Sequence, residues 1–155
     1  MVKLKVSNVY LERDKTNGRQ FSAMVVVIND MGQVLLLHRL DHPEVKFPDR
    51  WGFPGGGSDP DEDPLQTAIR ETYEETDLRI DPRDLNLLYK KITDGKNVYF
   101  FGCNIYSGNV SPQKVKKEHQ NFAWVDPNDL DRYHTSKDAE YTIRKAFGAN
   151  EFLME

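Results

Sequence analysis

Three glutamates lie close together in the middle of the sequence, at a spacing that suits metal chemistry. Glu71, Glu74 and Glu75 fall at i, i+3 and i+4, so a helix would place them on one face within little more than a turn. Carboxylates so close repel one another, and burial would raise at least one pKa unless a cation compensated. Mg²⁺ takes oxygen ligands, so the pattern suits a divalent-metal site. The alternative is an acidic helix face exposed to water, the usual location of a charge run.

The helix that must carry these glutamates has clear sequence signals. Asp63 is a good N-cap, and Pro64 suits the first helical position. Arg70 lies four residues before Glu74 and can pair with it, so we expect Arg70 to orient that carboxylate. A narrow core-facing stripe follows the helical period and comprises Leu65, Ala68, Ile69 and Thr72.

A glycine-rich turn precedes this helix. The sequence Phe53-Pro54-Gly55-Gly56-Gly57 suits neither a helix nor an ordinary strand, because glycines allow positive φ and close backbone approach. Such a turn can aim a backbone carbonyl at a metal held by the helix. It is not a P-loop, because no Gly-Lys-Ser/Thr sequence follows it. A plain surface turn is the alternative that the glycines alone leave open.

The combined spacing resembles the signature of the Nudix hydrolases, Gly-x5-Glu-x7-Arg-Glu-U-x-Glu-Glu-x-Gly-U, where U is aliphatic. Thr72 replaces an aliphatic residue and Asp77 replaces the glycine after the helix. Aspartate tolerates the left-handed conformation that a helix C-cap often needs, so the departures concern packing and capping rather than metal ligands. Seven of the nine defined positions agree, namely Gly56, Glu62, Arg70, Glu71, Glu74, Glu75 and Leu78.

The resemblance is to MutT-like members of this family, and it implies a fold and a chemistry. The implied fold is an α/β/α sandwich with a mixed β-sheet between helices. The implied reaction is hydrolysis that depends on Mg²⁺, with Mn²⁺ as a substitute, and that cleaves the diphosphate bond of a nucleoside diphosphate linked to another moiety. Candidate substrates are nucleoside triphosphates, dinucleoside polyphosphates, ADP-ribose, nucleotide sugars and capped RNA ends. A non-catalytic nucleotide-binding sensor on the same fold and a protein-interaction domain are the alternatives, although such sensors tend to lose these glutamates.

The resemblance also assigns roles to individual residues. The implied metal ligands are Glu71, Glu74, Glu75 and the Gly55 carbonyl. The catalytic residues are Arg70, which orients Glu74, and either Glu71 or Glu118 as the base, since family members differ in this respect. Glu62 would support the loop or bind an additional metal. The candidate substrate contacts are Arg39, Gly56 and Tyr99. Alternatively, Arg39 forms a surface salt bridge and Tyr99 is a core residue. The alternative for Glu118 is a solvated loop acid.

Composition restricts the class of protein. The chain has 155 residues, 38% hydrophobic and 30% charged, and we expect one domain over residues 1–155. No run is long enough to span a membrane, the N-terminal residues lack the apolar region of a signal peptide, and one cysteine, Cys103, excludes an internal disulfide framework. We therefore expect a cytoplasmic protein. The sequence is compatible with a homodimer.

The charge distribution bears on the partner. Residues 58–77 carry a net charge of −7, whereas the whole chain carries −4, so the remainder is mildly basic. This arrangement suits a small anionic nucleotide that binds together with Mg²⁺. A general nucleic-acid binder would show a broad basic face, and we do not expect that function.

Patterns on both sides of the central helix predict the elements that position it. Apolar and alternating runs predict strands, and a polar run predicts a loop. The predicted elements are an edge strand over 4–10, a hairpin of 22–28 and 34–38, an antiparallel pair of 85–92 and 97–106, a polar loop over 110–119, a strand over 121–125, a short helix from 126, and a helix over 137–147.

Overall fold

The protein, seen in a computed structural model, is described for residues 20–93 and 95–148. The edge strand expected over 4–10 lies outside these ranges. The strands are β1 (Phe21–Val27), β2 (Val34–Arg39), β3 (Trp51–Gly52), β4 (Gly55–Gly57), β5 (Asn86–Thr93), β6 (Lys96–Cys103) and β7 (His119–Val125). The helices are α1 (Pro64–Thr76), α2 (Pro112–Glu118) and α3 (Ala139–Gly148), with 3-10 turns at Pro82–Asp84 and Pro127–Arg132.

Within the described residues the strands form two sheets. One has the order β4-β1-β6-β5 and the other the order β3-β2-β7. Only the pairing of β1 with β6 is parallel among these neighbours, so the larger sheet is mixed. The predicted pair of β5 and β6 is confirmed as an antiparallel hairpin.

The predicted hairpin of β1 and β2 is wrong as a strand pair. A single bridge between Ile28 and Val34 joins the two strands, which then separate into different sheets. The reason is that β4 and β6 occupy both edges of β1. Strand β2 pairs instead with β3 and β7.

Strand β1 contributes to two cores because its side chains alternate between faces. Phe21, Ala23, Val25 and Val27 belong to the core that also contains Ala68 of α1 and Val115 of α2. Val26 packs in a second core with Ala139, Ile143 and Phe147 of α3. Helices α1 and α2 therefore cover one side and α3 covers the other, so the expected α/β/α class is confirmed, with its strands divided between two sheets.

Local signals explain where α1 begins and ends. The Asp63 side chain accepts the Gln66 N–H at 2.8 Å, and the Gln66 side chain accepts the Asp63 N–H at 2.9 Å, which completes a capping box. At the other end Asp77 is the C-cap with φ 72°, in the left-handed region. Thr72, which replaces the aliphatic residue, is fully buried.

The polar loop predicted over 110–119 is wrong, because α2 occupies most of it. Ser111 caps this short helix by accepting the Lys114 N–H, and Pro112 is its first residue. Val115 is the one apolar residue of α2, and it is fully buried. A single apolar residue cannot produce a helical period in the sequence. Among the helices in the part of the chain that the structure describes, none has the length and apolarity to span a membrane.

Candidate active site

The Glu75 carboxyl group lies buried between α1 and the glycine-rich turn. Glu75 is 7% exposed, and its Oε1 accepts a hydrogen bond from the Gly55 N–H at 2.7 Å. Burial raises the pKa of Glu75 to about 8 against the effect of this hydrogen bond, and the charges of Glu71 and Glu118 add to the rise. The arrangement therefore disfavours three ionised carboxylates together unless a cation is present.

The glycines of β4 allow α1 to approach this closely. Gly55 has φ 148°, and a Cβ there would lie 2.2 Å from the Ala23 carbonyl oxygen. A Cβ on Gly56 would lie 2.7 Å from the Glu71 carboxyl carbon. The glycine-rich segment is thus a short strand paired with β1 rather than a free turn. Gly56, a predicted substrate contact, lies directly against the carboxylate of Glu71.

Arg70 links the acidic residues to the turn. Its Nε donates to Glu62 at 2.7 Å and its Nη2 donates to the Gly57 carbonyl at 2.9 Å, while Nη1 donates to Glu71 at 3.0 Å and to Glu74 at 3.2 Å. The expected contact between Arg70 and Glu74 is present. The shortest of these bonds, however, is the one to Glu62.

Glu62 is held by hydrogen bonds on both oxygens. Besides Arg70, the Asp59 N–H and the Thr67 hydroxyl donate to it at 2.8 and 2.9 Å. Burial alone would raise the pKa of Glu62, but these bonds, led by that from Arg70, lower it on balance. Of the two roles expected for Glu62, the structure favours support of the loop.

The remaining carboxylates differ in exposure. Glu71 is half-buried, and burial raises its pKa against the opposing charge of Arg70, with Glu74 and Glu118 adding to the rise. Glu74 is exposed, as is Glu118 at the last residue of α2. Within residues 20–93 and 95–148, no three His, Cys, Asp or Glu side chains converge into a ready-made metal cluster. Arg70 engages Glu71 and Glu74 instead.

His119 is a member of this site that the sequence did not indicate. It is 8% exposed, its Nε2 lies 3.9 Å from Glu75 Oε2, and its Nδ1 is buried without a hydrogen-bond partner. Burial lowers the pKa of His119 to about 4, and the charge of Arg39 contributes. His119 reaches the site because β7 pairs with β2, which places His119 opposite Arg39. No local pattern in the sequence predicts this pairing.

Arg39 and Tyr99, two predicted substrate contacts, have opposite locations. Arg39 lies at the end of β2 opposite His119, the residue whose Nε2 is 3.9 Å from Glu75, and it is therefore at the site. Tyr99 is fully buried and packs edge-on against Phe21 with ring centroids 5.6 Å apart. The interpretation of Tyr99 as a base-stacking residue is therefore wrong, because strand alternation turns its ring into the core.

Comparison with known proteins gives a consistent family. A NUDIX domain profile matches residues 18–146. A MutT-like protein of Streptomyces ambofaciens is 30% identical over 105 residues, which cover 68% of this chain and 62% of that protein. The chain spans less than two thirds of the length of the curated relatives it matches.

Solved structures agree in fold. A MutT structure from work on Aliivibrio salmonicida and Vibrio cholerae superposes with a TM-score of 0.70 at 18% identity, covering 84% of this chain and 98% of that chain. An Ap4A hydrolase of C. elegans, solved as a binary complex, superposes with a TM-score of 0.62 at 26% identity. That match covers 86% of this chain and 98% of the other.

Proposed function

Because the chain belongs to the Nudix family, we propose that it is a divalent-metal-dependent pyrophosphohydrolase. Its substrate is a nucleoside diphosphate linked to another moiety, and its reaction cleaves the diphosphate bond. The observation that carries the proposal is the buried Glu75 carboxyl group. Its pKa is raised by burial and by the charges of Glu71 and Glu118. A cation would allow these carboxylates to ionise together.

The donor set fits a hard divalent cation. Glu71, Glu74 and Glu75 supply carboxylate oxygens of the kind that Mg²⁺ or Mn²⁺ binds, and the Gly55 carbonyl is proposed as a further ligand. Glu71 and Glu74 would exchange a contact with Arg70 for the cation. The bound ion supplies charge neutralisation of the diphosphate and a lower pKa of bound water.

The side chains around the carboxylates have separable roles. Arg70 fixes the directions of Glu71 and Glu74 in the metal-free protein, and we propose that Arg39 contacts a phosphate oxygen. Glu71 and Glu118 are the two candidates for the base. Burial raises the pKa of half-buried Glu71, as a general base requires, whereas exposed Glu118 is the more accessible to solvent.

The similarity to an Ap4A hydrolase makes dinucleoside polyphosphates the first substrates to test. Nucleoside triphosphates, ADP-ribose, nucleotide sugars and capped RNA ends are the others. Nucleotide binding without catalysis is the competing function. One observation favours it, namely that Arg70 engages both Glu71 and Glu74 so that no metal cluster is preformed in the described ranges.

The test is product analysis with a panel of these nucleotides in Mg²⁺, Mn²⁺ or chelator. We expect metal-dependent cleavage of the phosphate chain and a loss of about 100-fold or more in Glu75→Gln. The matched control is Glu140→Gln, because Glu140 is an exposed helical glutamate paired with Arg144 on α3, and it should keep full activity. Binding without turnover across the panel would support the sensor function instead.

A further inference from the structure

The segment between β2 and β3 presents an aromatic side chain to solvent. Phe47 is 54% exposed and has φ 53°, in the left-handed region. A bulky residue rarely adopts this conformation, which is strained and persists only where the surrounding structure imposes it. The position of the Phe47 ring is therefore a specific feature of the loop and calls for an explanation other than core packing.

The loop that carries Phe47 is closed at its base. The Arg39 N–H donates to the Arg50 carbonyl at 2.8 Å, and the Asp49 N–H donates to the Leu40 carbonyl at 3.2 Å. The Asp49 carboxylate also lies 2.8 Å from His38 Nε2. These bonds fix the base of the loop before any ligand binds, which lowers the entropic cost of binding.

Two cations accompany the exposed ring. Lys46 Nζ lies 5.4 Å and Arg50 Cζ lies 5.2 Å from the centroid of the Phe47 ring, within the range of cation–π contacts. An aromatic ring with cations close to it is a combination with which proteins bind a nucleobase and its phosphates, and a base that stacks on Phe47 would displace the cation over that face towards a phosphate. We name Phe47, Lys46 and Arg50 together the loop platform.

Arg39 connects the loop platform to the carboxylate site. Its Nε donates to the Lys46 carbonyl at 2.7 Å. Arg39 of β2 also lies opposite His119 of β7, whose Nε2 is 3.9 Å from Glu75 Oε2 at the site. A phosphate chain bound at the carboxylates would pass Arg39, so its far end would lie near the loop platform.

We propose that the loop platform binds the distal nucleoside of a dinucleoside polyphosphate, the nucleoside beyond the phosphates that react. The base stacks on Phe47, and Lys46 and Arg50 contact the adjoining phosphates. The inference rests on the proposed pyrophosphohydrolase function. It makes the loop between β2 and β3 the part of the molecule that selects a substrate with a second nucleoside over one that ends in a phosphate.

The test compares two nucleotides that have the same four phosphates and differ in one adenosine, diadenosine tetraphosphate and adenosine 5′-tetraphosphate. Equilibrium binding is measured by calorimetry in Ca²⁺, and chromatography afterwards verifies that the nucleotides are intact. We expect the wild type to prefer diadenosine tetraphosphate by roughly 5- to 150-fold, the range that stacking one base supplies. Phe47→Ala should abolish the preference, and Phe47→Tyr should retain it.

The matched control is Tyr141→Ala. Tyr141 is an aromatic residue 53% exposed on α3, with Lys145 Nζ 5.9 Å from its ring centroid, and its removal should leave the preference intact. An equal affinity of the wild type for both nucleotides, or a preference that survives Phe47→Ala, would overturn the inference. Turnover in Mg²⁺ is scored separately: a preference lost in Phe47→Ala without any turnover supports the loop platform and contradicts the hydrolase proposal.

Discussion

At the scale of single residues, the site contains two buried ionisable groups close to each other. Glu75 Oε2 lies 3.9 Å from His119 Nε2, and burial opposes the charged form of both. The pKa of Glu75 is raised to about 8 and that of His119 is lowered to about 4. Near neutral pH the metal-free protein therefore contains a protonated Glu75 beside a neutral imidazole, an arrangement that a bound cation would change.

These shifts predict how the stability of the metal-free protein depends on pH. The folded state keeps the Glu75 proton up to about pH 8, whereas the unfolded chain releases it near 4.5, so stability falls as pH rises through this window. The unfolded chain binds a proton at His119 below about pH 6.5, whereas the folded state binds it only near pH 4. The contribution of His119 to the pH dependence is therefore confined to pH values below 6.5. Between pH 6.5 and 8 the loss of stability caused by Glu75 therefore acts without the contribution of His119.

We therefore expect the free energy of unfolding in chelator to fall by roughly 1–2 kcal/mol from pH 6.5 to 8. Urea denaturation at several pH values measures it. Glu75→Gln cannot titrate and should show a flat profile over the same range, and added Mg²⁺ should reduce the slope in the wild type. Equal slopes in the wild type and in Glu75→Gln would show that another group is responsible.

The placement of site residues was predictable from the sequence only where a local pattern carried it. The spacing of Glu71, Glu74 and Glu75 along one helix is such a pattern. His119 was not predictable, because the register of β7 against β2, with its irregularity at His38 and Arg39, brings it to Glu75. Tyr99 was misassigned as a substrate contact, since its burial depends on which face of β6 the core covers.

At the scale of elements, β4 is the part on which the site depends most. It pairs with β1 over the three residues Gly55, Gly56 and Gly57, and it presents the Gly55 N–H to Glu75. The first two positions have no room for a side chain, whereas nothing lies within 4 Å of a Cβ on Gly57. The three glycines are thus not equivalent.

We predict that Gly55→Ala destabilises the protein by at least about 2 kcal/mol, whereas Gly57→Ala changes stability by less than about 0.5 kcal/mol. At Gly55 a side chain meets the backbone of β1 and the positive φ is strained. Thermal unfolding of the two variants beside the wild type measures the difference. Gly57 lies in the same strand, so similar losses in both variants would mean that the packing of β4 on β1 is not the cause.

Elements with strong local signals were predictable, and those fixed by distant partners were not. The N-cap at Asp63 and the left-handed C-cap at Asp77 were predictable from the sequence because both form between neighbours, whereas the reciprocal bond from Gln66 was not predicted. Helix α2 was missed because it buries only Val115. The pairing of β1 with β2 was predicted from their short connection, but competition from β4 and β6 decided it.

At the scale of the whole molecule, two sheets between helices bring distant segments to one site. Helix α1 lies on β1 and β4, while β7 carries His119 to the same place from the second sheet. Glu118 ends α2 just before that strand, and its charge acts on Glu71 and Glu75. The site thus depends on the packing of both sheets against α1, and we propose that the packed whole is one domain.

The central claim is that these carboxylates bind a divalent cation. The most direct measurement is Mn²⁺ binding by electron paramagnetic resonance, without nucleotide, for the wild type, Glu75→Gln and the control Glu140→Gln. We predict that the wild type and Glu140→Gln bind Mn²⁺ equally and that Glu75→Gln binds it at least about 10-fold more weakly. Mn²⁺ affinity that is the same in all three proteins would contradict the claim and leave the buried glutamate without a role in metal binding.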